Sequence, residues 1–219
     1  MENGACIKKV VEDERCLMKP ILLNDLCFTI PNLVPPEACT KLISLYKKYS
    51  KYAGIEKSYK YSSYCIERDN YKSLNLSRLS CDPKMGRKKT KELQEGLELA
   101  QQYISIMTVN YTVYLKRLIS PQFTFREFLD KTFNVRILEY KKGHFIGDHT
   151  DAAETIRGSC SLNLNDDYEG GDFSFFSGKM LKTLTKGDGM IFPADAMWIH
   201  GTKPITKGTR YAINCFLLP

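Results

Sequence analysis

The 219-residue chain has only three histidines and one tryptophan. It has no run of 18 consecutive apolar residues, which excludes a helix of membrane-spanning length. The opening stretch, MENGACIKKVVEDERC, mixes acids and bases where a secretory signal would need an apolar segment, so neither membrane insertion nor export is expected. Eight cysteines are present but no two form a CxxC pair, which argues against a zinc ribbon or a redox dithiol. They read as free thiols of a reducing compartment, and the location expected is cytoplasmic. No internal repeat and no low-complexity tract interrupts the chain. Hydrophobic residues at 43% and charged residues at 26% lie near globular averages. A chain of this size and composition suits one core-forming domain, or one domain with a helical annex.

The net charge of +7 is unevenly placed. From residue 134 onward ten Lys/Arg balance ten Asp/Glu, so the excess lies in residues 1–133, as 22 minus 15. Part of it is the cluster Lys84, Arg87, Lys88, Lys89 and Lys91. Such a cluster could meet phosphates or an acidic substrate. It arrives without an aromatic or glycine-rich RNA motif, so a solvated loop ahead of a helix is the simpler expectation.

Along the chain, Cys27 to Ile30 has the texture of a short strand. Pro35-Pro36-Glu37 then places proline and an acid at a helix start, and that helix is expected to run to about Tyr49. Residues 51–89 are rich in Tyr, Ser, Asn and Lys without helical period, and form a candidate lid with a strand or two. From Lys91 to Leu118, apolar residues such as Leu93, Leu97, Ala100, Ile104, Met107 and Tyr111 recur at three- and four-residue steps, the pattern of one long amphipathic helix. A short helix is expected over 123–133. Beyond it, short apolar runs separated by Gly, Asp and Pro predict strands at 134–140, 160–164, 172–176, 180–184, 189–192, 196–200 and 209–217. Many short strands imply a barrel or jelly roll that closes its own edges. The class expected is α+β, with residues 1–133 packing on a core formed by 134–219.

The histidines carry the chemistry. His149-Thr150-Asp151 puts an imidazole and a carboxylate at i and i+2, on one side of an extended segment. His200 falls at the end of a later expected strand, where a barrel could bring it opposite that pair. Two imidazoles and a carboxylate are the donor set of non-heme Fe(II) oxygenases, which keeps positions open for cosubstrate and oxygen. Arg210 follows His200 by ten residues, and an inward guanidinium there could pair bidentately with a carboxylate. His144 is expected to be satisfied or exposed near the mouth. Trp198 could pack in the core or face the cavity, and Phe145, Phe173, Phe175 and Phe176 read as barrel filling.

The stretch from Tyr140 through Gly143 to His149 and Asp151 resembles the prolyl and lysyl hydroxylase branch of the 2-oxoglutarate- and Fe(II)-dependent dioxygenases. So does the acidic double-glycine segment from Leu164 to Phe173, followed in order by Gly187-Asp188, Phe192-Pro193, His200, Pro204 and Gly208-Thr209-Arg210-Tyr211. The likeness is dense over residues 134–219, with a weaker echo at 32–46. It implies a double-stranded β-helix. His149, Asp151 and His200 would hold Fe(II), and Arg210 would hold the distal carboxylate of 2-oxoglutarate, to which Tyr140 would donate its hydroxyl. Oxygen is the second cosubstrate, and the branch leaves room for ascorbate. Ser159 falls where some relatives carry another hydrogen-bonding hydroxyl.

Some positions depart from that branch. Ile146 stands where prolyl hydroxylases often have tyrosine, and Arg210 where many have lysine, which weakens a strictly prolyl specificity. Asp151, in place of a small residue, favours hydroxylation over halogenation. Phe216 stands where nucleic-acid demethylases of the superfamily carry a second arginine. The expected activity is hydroxylation of an unactivated C–H bond, foremost of a prolyl or lysyl residue in a peptide or protein. A free amino acid or other small metabolite is the alternative substrate. From a different class, a non-catalytic basic module would bind nucleic acid through the cluster 84–91, with strong salt dependence; membranes are not expected partners.

Overall fold

A computed structural model describes residues 22–55 and 71–219. A single turn, α1 (Leu23–Leu26), leads into strand β1 (Phe28–Ile30). Helix α2 (Pro36–Tyr49) begins with Pro36, whose fixed φ suits a first helical position that needs no N–H. Glu37 in its first turn and Lys47 and Lys48 in its last turn both match the helix dipole. Strands β2 (Gly54–Ile55) and β3 (Lys72–Asn75) and the turn α3 (Leu76–Leu79) follow. Residues 56–70 of the candidate lid lie outside the described residues.

Helix α4 (Arg87–Leu118) opens four residues before the periodic segment and runs to its expected end. Its buried side includes Leu93, Leu97, Ala100, Ile104, Met107 and Tyr111 of the stripe that the three- and four-residue recurrence marks, while near its end Leu115 is buried and the expected Tyr114 and Leu118 are half-buried. This stripe lies on the sheet. A Cβ on Gly189 would sit 2.8 Å from the Met107 sulfur, so a larger residue would force that side chain to shift. Ile104 is 0% exposed. Ile104→Ala is therefore expected to cost about 2–5 kcal/mol, read as a lower urea midpoint, because the rigid sheet beneath cannot collapse into the space left behind.

The remaining strands are β4 (Lys131–Lys141), β5 (Gly158–Asn163), β6 (Glu169–Gly170), β7 (Phe173–Phe175), β8 (Met180–Lys182), β9 (Gly189–Pro193), β10 (His200–Thr202), β11 (Ile205–Lys207) and β12 (Thr209–Leu218). Seven strands form one antiparallel sheet in the order β1-β9-β5-β12-β4-β3-β2, and smaller sheets pair β10-β7-β8 and β11-β6. The architecture is thus α+β, with a jelly-roll arrangement of a large and a small antiparallel sheet. Period-two alternation gives the large sheet two apolar duties. Val135, Ile137, Ile213, Cys215 and Leu217 join the core beneath the helices, whereas Leu138, Tyr140, Arg210, Ala212 and Asn214 face the space between the sheets.

The structure corrects three expectations. The helix over 123–133 is one 3₁₀ turn, Phe125–Phe128, because Lys131 and the residues after it are taken into the ladder with β12 as far as Leu218. The strand over 196–200 is instead a turn: Asp195 accepts from the backbone N–H of Met197 at 2.8 Å and of Trp198 at 3.1 Å, so pairing starts only at His200. The sheets do not close into a barrel. Among the described residues the large sheet ends in β1 and β2.

Candidate metal centre and cosubstrate pocket

Strand β4 delivers the chain to the loop that carries His149 and Asp151, and the return strand β10 begins with His200. The two histidines are locked together by backbone. His149 N–H donates to the His200 carbonyl at 2.9 Å and His200 N–H to the His149 carbonyl at 2.8 Å, an isolated antiparallel bridge. The pairing therefore joins His149, which lies outside any strand, to the first residue of β10. His200 stands at the start of its strand and not at its end.

The three side chains converge. His149 Nε2 lies 3.2 Å from Asp151 Oδ1, and His200 Nε2 lies 3.3 Å from Asp151 Oδ2. One donor atom from each residue falls within 4.8 Å of the others, and among the described residues no other group of His, Cys, Asp and Glu does this. Backbone sets the ring tautomers. His149 Nδ1 faces the Gly147 carbonyl and His200 Nδ1 the Trp198 carbonyl, each at 2.9 Å. A carbonyl can only accept, so each Nδ1 carries hydrogen and each Nε2 is the ring atom left to face the carboxylate. Burial would push the Asp151 carboxyl up, yet His200 and His149 hold it well below the usual carboxylate range. Two imidazole nitrogens and an ionised carboxylate make a nitrogen and oxygen donor set that fits Fe(II).

The Ser159 hydroxyl donates to Asp151 Oδ2. In this structure it orients a carboxylate of the cluster, a partner that alternation along β5 could have suggested. Ser159→Ala is expected to weaken divalent-metal binding roughly 10-fold or more, as loss of such support does elsewhere, read by Mn(II) or Fe(II) titration.

Behind the cluster, Arg210 is only 2% exposed. Its Nε donates to Asn163 Oδ1 and its Nη1 to the Gly171 carbonyl, both at 3.0 Å. The guanidinium carbon lies 4.8 Å from the Phe173 ring centroid and 5.5 Å from that of Tyr140. Tyr140 in turn stacks on Tyr71 with centroids 5.0 Å apart. The hydrogen-bonding partners of Arg210 are all neutral, and Nη2 makes no hydrogen bond among the described residues. A buried cation in that state favours an anion. The same cavity is lined by His149, Asp151, His200, Tyr140 and Arg210, so all five residues singled out in the sequence share one space. The double-glycine hairpin gains a physical reason. A Cβ at Gly171 would meet Ile205 Cδ1 at 2.5 Å, and its φ of +76° suits glycine, so the hairpin can press its carbonyl against Arg210.

The other sequence candidates fall elsewhere. His144 is half-buried and its Nδ1 has no hydrogen-bond partner, so it is neither satisfied nor part of the cluster. Trp198 is core: it packs on Phe175, Phe176 and Phe192. Phe173 and Phe175 are buried as barrel filling should be, while Phe145 and Phe176 are half-buried. None of Lys84, Arg87, Lys88, Lys89 and Lys91 lines the cavity. Sequence reasoning missed Asn163, whose signal was the polar alternation Ser159, Ser161, Asn163 on an otherwise apolar strand.

Comparison with known proteins agrees with this geometry. Residues 135–218 match the family model of the 2OG-Fe(II) oxygenase superfamily. No curated protein sequence matches the chain. Among solved structures, the chain is similar to a prolyl hydroxylase from Trichoplax adhaerens in complex with a hypoxia inducible factor oxygen degradation domain peptide fragment. That match has a TM-score of 0.62 at 14% identity, covering 90% of this chain and 85% of the other. A prolyl-4-hydroxylase from Pseudomonas putida matches with a TM-score of 0.57 at 14% identity, over 90% and 96% of the two chains. The viral collagen prolyl hydroxylase from Paramecium Bursaria Chlorella virus-1, in complex with 2OG, matches with 0.51 at 15% identity, over 87% and 94%. Residues 135–218 are thus similar to the 2OG-Fe(II) oxygenase superfamily, and the fold of the chain is that of these prolyl hydroxylase structures.

Proposed function

We propose that the chain hydroxylates an unactivated C–H bond of a prolyl or lysyl residue in a peptide or protein, with His149, Asp151 and His200 as the Fe(II) ligands and Arg210 and Tyr140 as the 2-oxoglutarate anchor. The observation that carries this reading is a buried guanidinium without a carboxylate partner in the cavity that holds the donor cluster. Bound Fe(II), with 2-oxoglutarate and oxygen, supplies the oxidation: the 2-oxo acid becomes succinate and carbon dioxide while one oxygen atom goes to the substrate carbon.

The residues of this chain do the holding. The Gly147 and Trp198 carbonyls fix both rings through Nδ1, so both Nε2 atoms would be turned toward a bound ion. His149, Asp151 and His200 would hold the ion by three donors only, so cosubstrate and oxygen could also reach it. Arg210 offers Nη2 to the distal carboxylate, and the aromatic faces of Phe173 and Tyr140 beside it exclude water, which strengthens that charge-assisted contact. A peptide substrate accords with the peptide carried by the Trichoplax neighbour and with the prolyl substrates named for the others.

The test is succinate release by the iron-loaded protein, scored against prolyl- and lysyl-containing peptides and against free amino acids, with mass spectrometry of the product. Peptides are expected to stimulate release and to gain one oxygen atom at proline or lysine. Stimulation by free amino acids alone would overturn the peptide reading while leaving the dioxygenase chemistry in place.

A further inference from the structure

Asn163 is 0% exposed, and every polar position of its amide is used. Its Nδ2 donates to the carbonyls of Asn165 at 2.7 Å and Leu184 at 3.1 Å. Carbonyls cannot donate, so the amide nitrogen must face them and Oδ1 must face Arg210. Oδ1 accepts from Arg210 Nε at 3.0 Å and from the Tyr168 hydroxyl at 3.2 Å. The amide cannot turn without breaking several buried hydrogen bonds at once. With Nε held by Asn163 and Nη1 by Gly171, Nη2 is the edge of the guanidinium left for a ligand.

The chemistry of the acceptor matters as much as its position. An amide oxygen solvates a guanidinium without neutralising it. A carboxylate at the same place would form an internal ion pair and compete with any anionic ligand for the same charge. We propose that Asn163 is a positioning residue that keeps Arg210 both oriented and uncompensated, and so sets the preference of this site for a 2-oxo acid that ends in a second carboxylate. The inference rests on the reading of Arg210 as the cosubstrate anchor.

It is tested by binding, not turnover. Fe(II)-loaded protein is titrated anaerobically with 2-oxoglutarate and with 2-oxopentanoate, which has the same chain length but no distal carboxylate, following the metal-to-ligand charge-transfer absorption. Asn163→Asp is expected to weaken 2-oxoglutarate roughly 10- to 100-fold, the scale of a lost charge-assisted bond, with 2-oxopentanoate changed by less than about 3-fold. Asn163→Ala should weaken 2-oxoglutarate less, and Asn163→Ser, which restores a neutral acceptor, should recover part of that loss. Fe(II) affinity should stay unchanged in all three.

Equal loss for both 2-oxo acids, or no loss for either, overturns the inference. If the aspartate variant does not fold, the alanine and serine pair decides by the same comparison. Arg210→Ala separates the two readings. If it discriminates between the 2-oxo acids and the Asn163 variants do not, only the role of Asn163 falls; if it does not discriminate, the anchor assignment itself falls.

Discussion

His200→Ala is expected to abolish Fe(II)-dependent succinate release and to weaken metal binding by more than about 100-fold, beyond what loss of a merely supporting group costs. His200 has two connections to the site. Its Nε2 is one of three donors, and its backbone bridges to His149 in both directions. Substitution by alanine removes the donor and leaves the backbone bridge, so the fold should persist and the loss should be chemical. Near-unchanged circular dichroism with absent turnover is the expected pair of results. His149→Ala and Asp151→Ala should behave alike, because neither two remaining donors nor two imidazoles alone satisfy the ion. Asp151→Ala additionally strips the carboxylate that both Nε2 atoms face and leaves the Ser159 hydroxyl without its acceptor. Iron-dependent activity retained in His200→Ala would sink the assignment of the cluster.

Arg210→Ala is expected to raise the 2-oxoglutarate KM roughly 10- to 100-fold, since a hydrogen bond to a charged partner is worth about 1.5–3 kcal/mol. The conservative Arg210→Lys should be intermediate. A lysine keeps the charge but presents a point donor in place of the planar fork that Asn163 and Gly171 hold. Removing the guanidinium also strands Asn163 Oδ1 with Tyr168 alone, so some loss of stability should accompany the loss of affinity. Fe(II) affinity should be unaffected, because Arg210 makes no contact with the three donors. A KM that does not move would take Arg210 out of this role and leave the buried guanidinium without an anionic ligand.

The reach of the sequence differs from element to element. Helix α4 was legible because its period is local: seven apolar positions on one stripe can face only one way. The metal candidates were legible because only three histidines exist and His149 and Asp151 are two residues apart, so spacing alone put them together. The strand over 196–200 was misplaced because apolar content is shared by strands and buried turns, and the Asp195 side chain that closes this turn competes locally with pairing. The 3₁₀ turn at Phe125–Phe128 replaced a longer helix because the ladder between β4 and β12 takes up the residues from Lys131 onward. Ladders form between segments far apart in sequence, and local pattern carries no record of them.

By itself the sequence pointed to the class of chemistry: the donor types, the spacing of His149 and Asp151, and Arg210 ten residues beyond His200. The tertiary structure decided what those residues are to each other. The bridge from His149 to His200 closes the donor set across about fifty residues of chain, a distance over which no local propensity acts. The environment of Arg210 was decided in the same way. Asn163 reaches it from the neighbouring β5 and Gly171 from the double-glycine hairpin, and only packing could reveal that both partners are neutral.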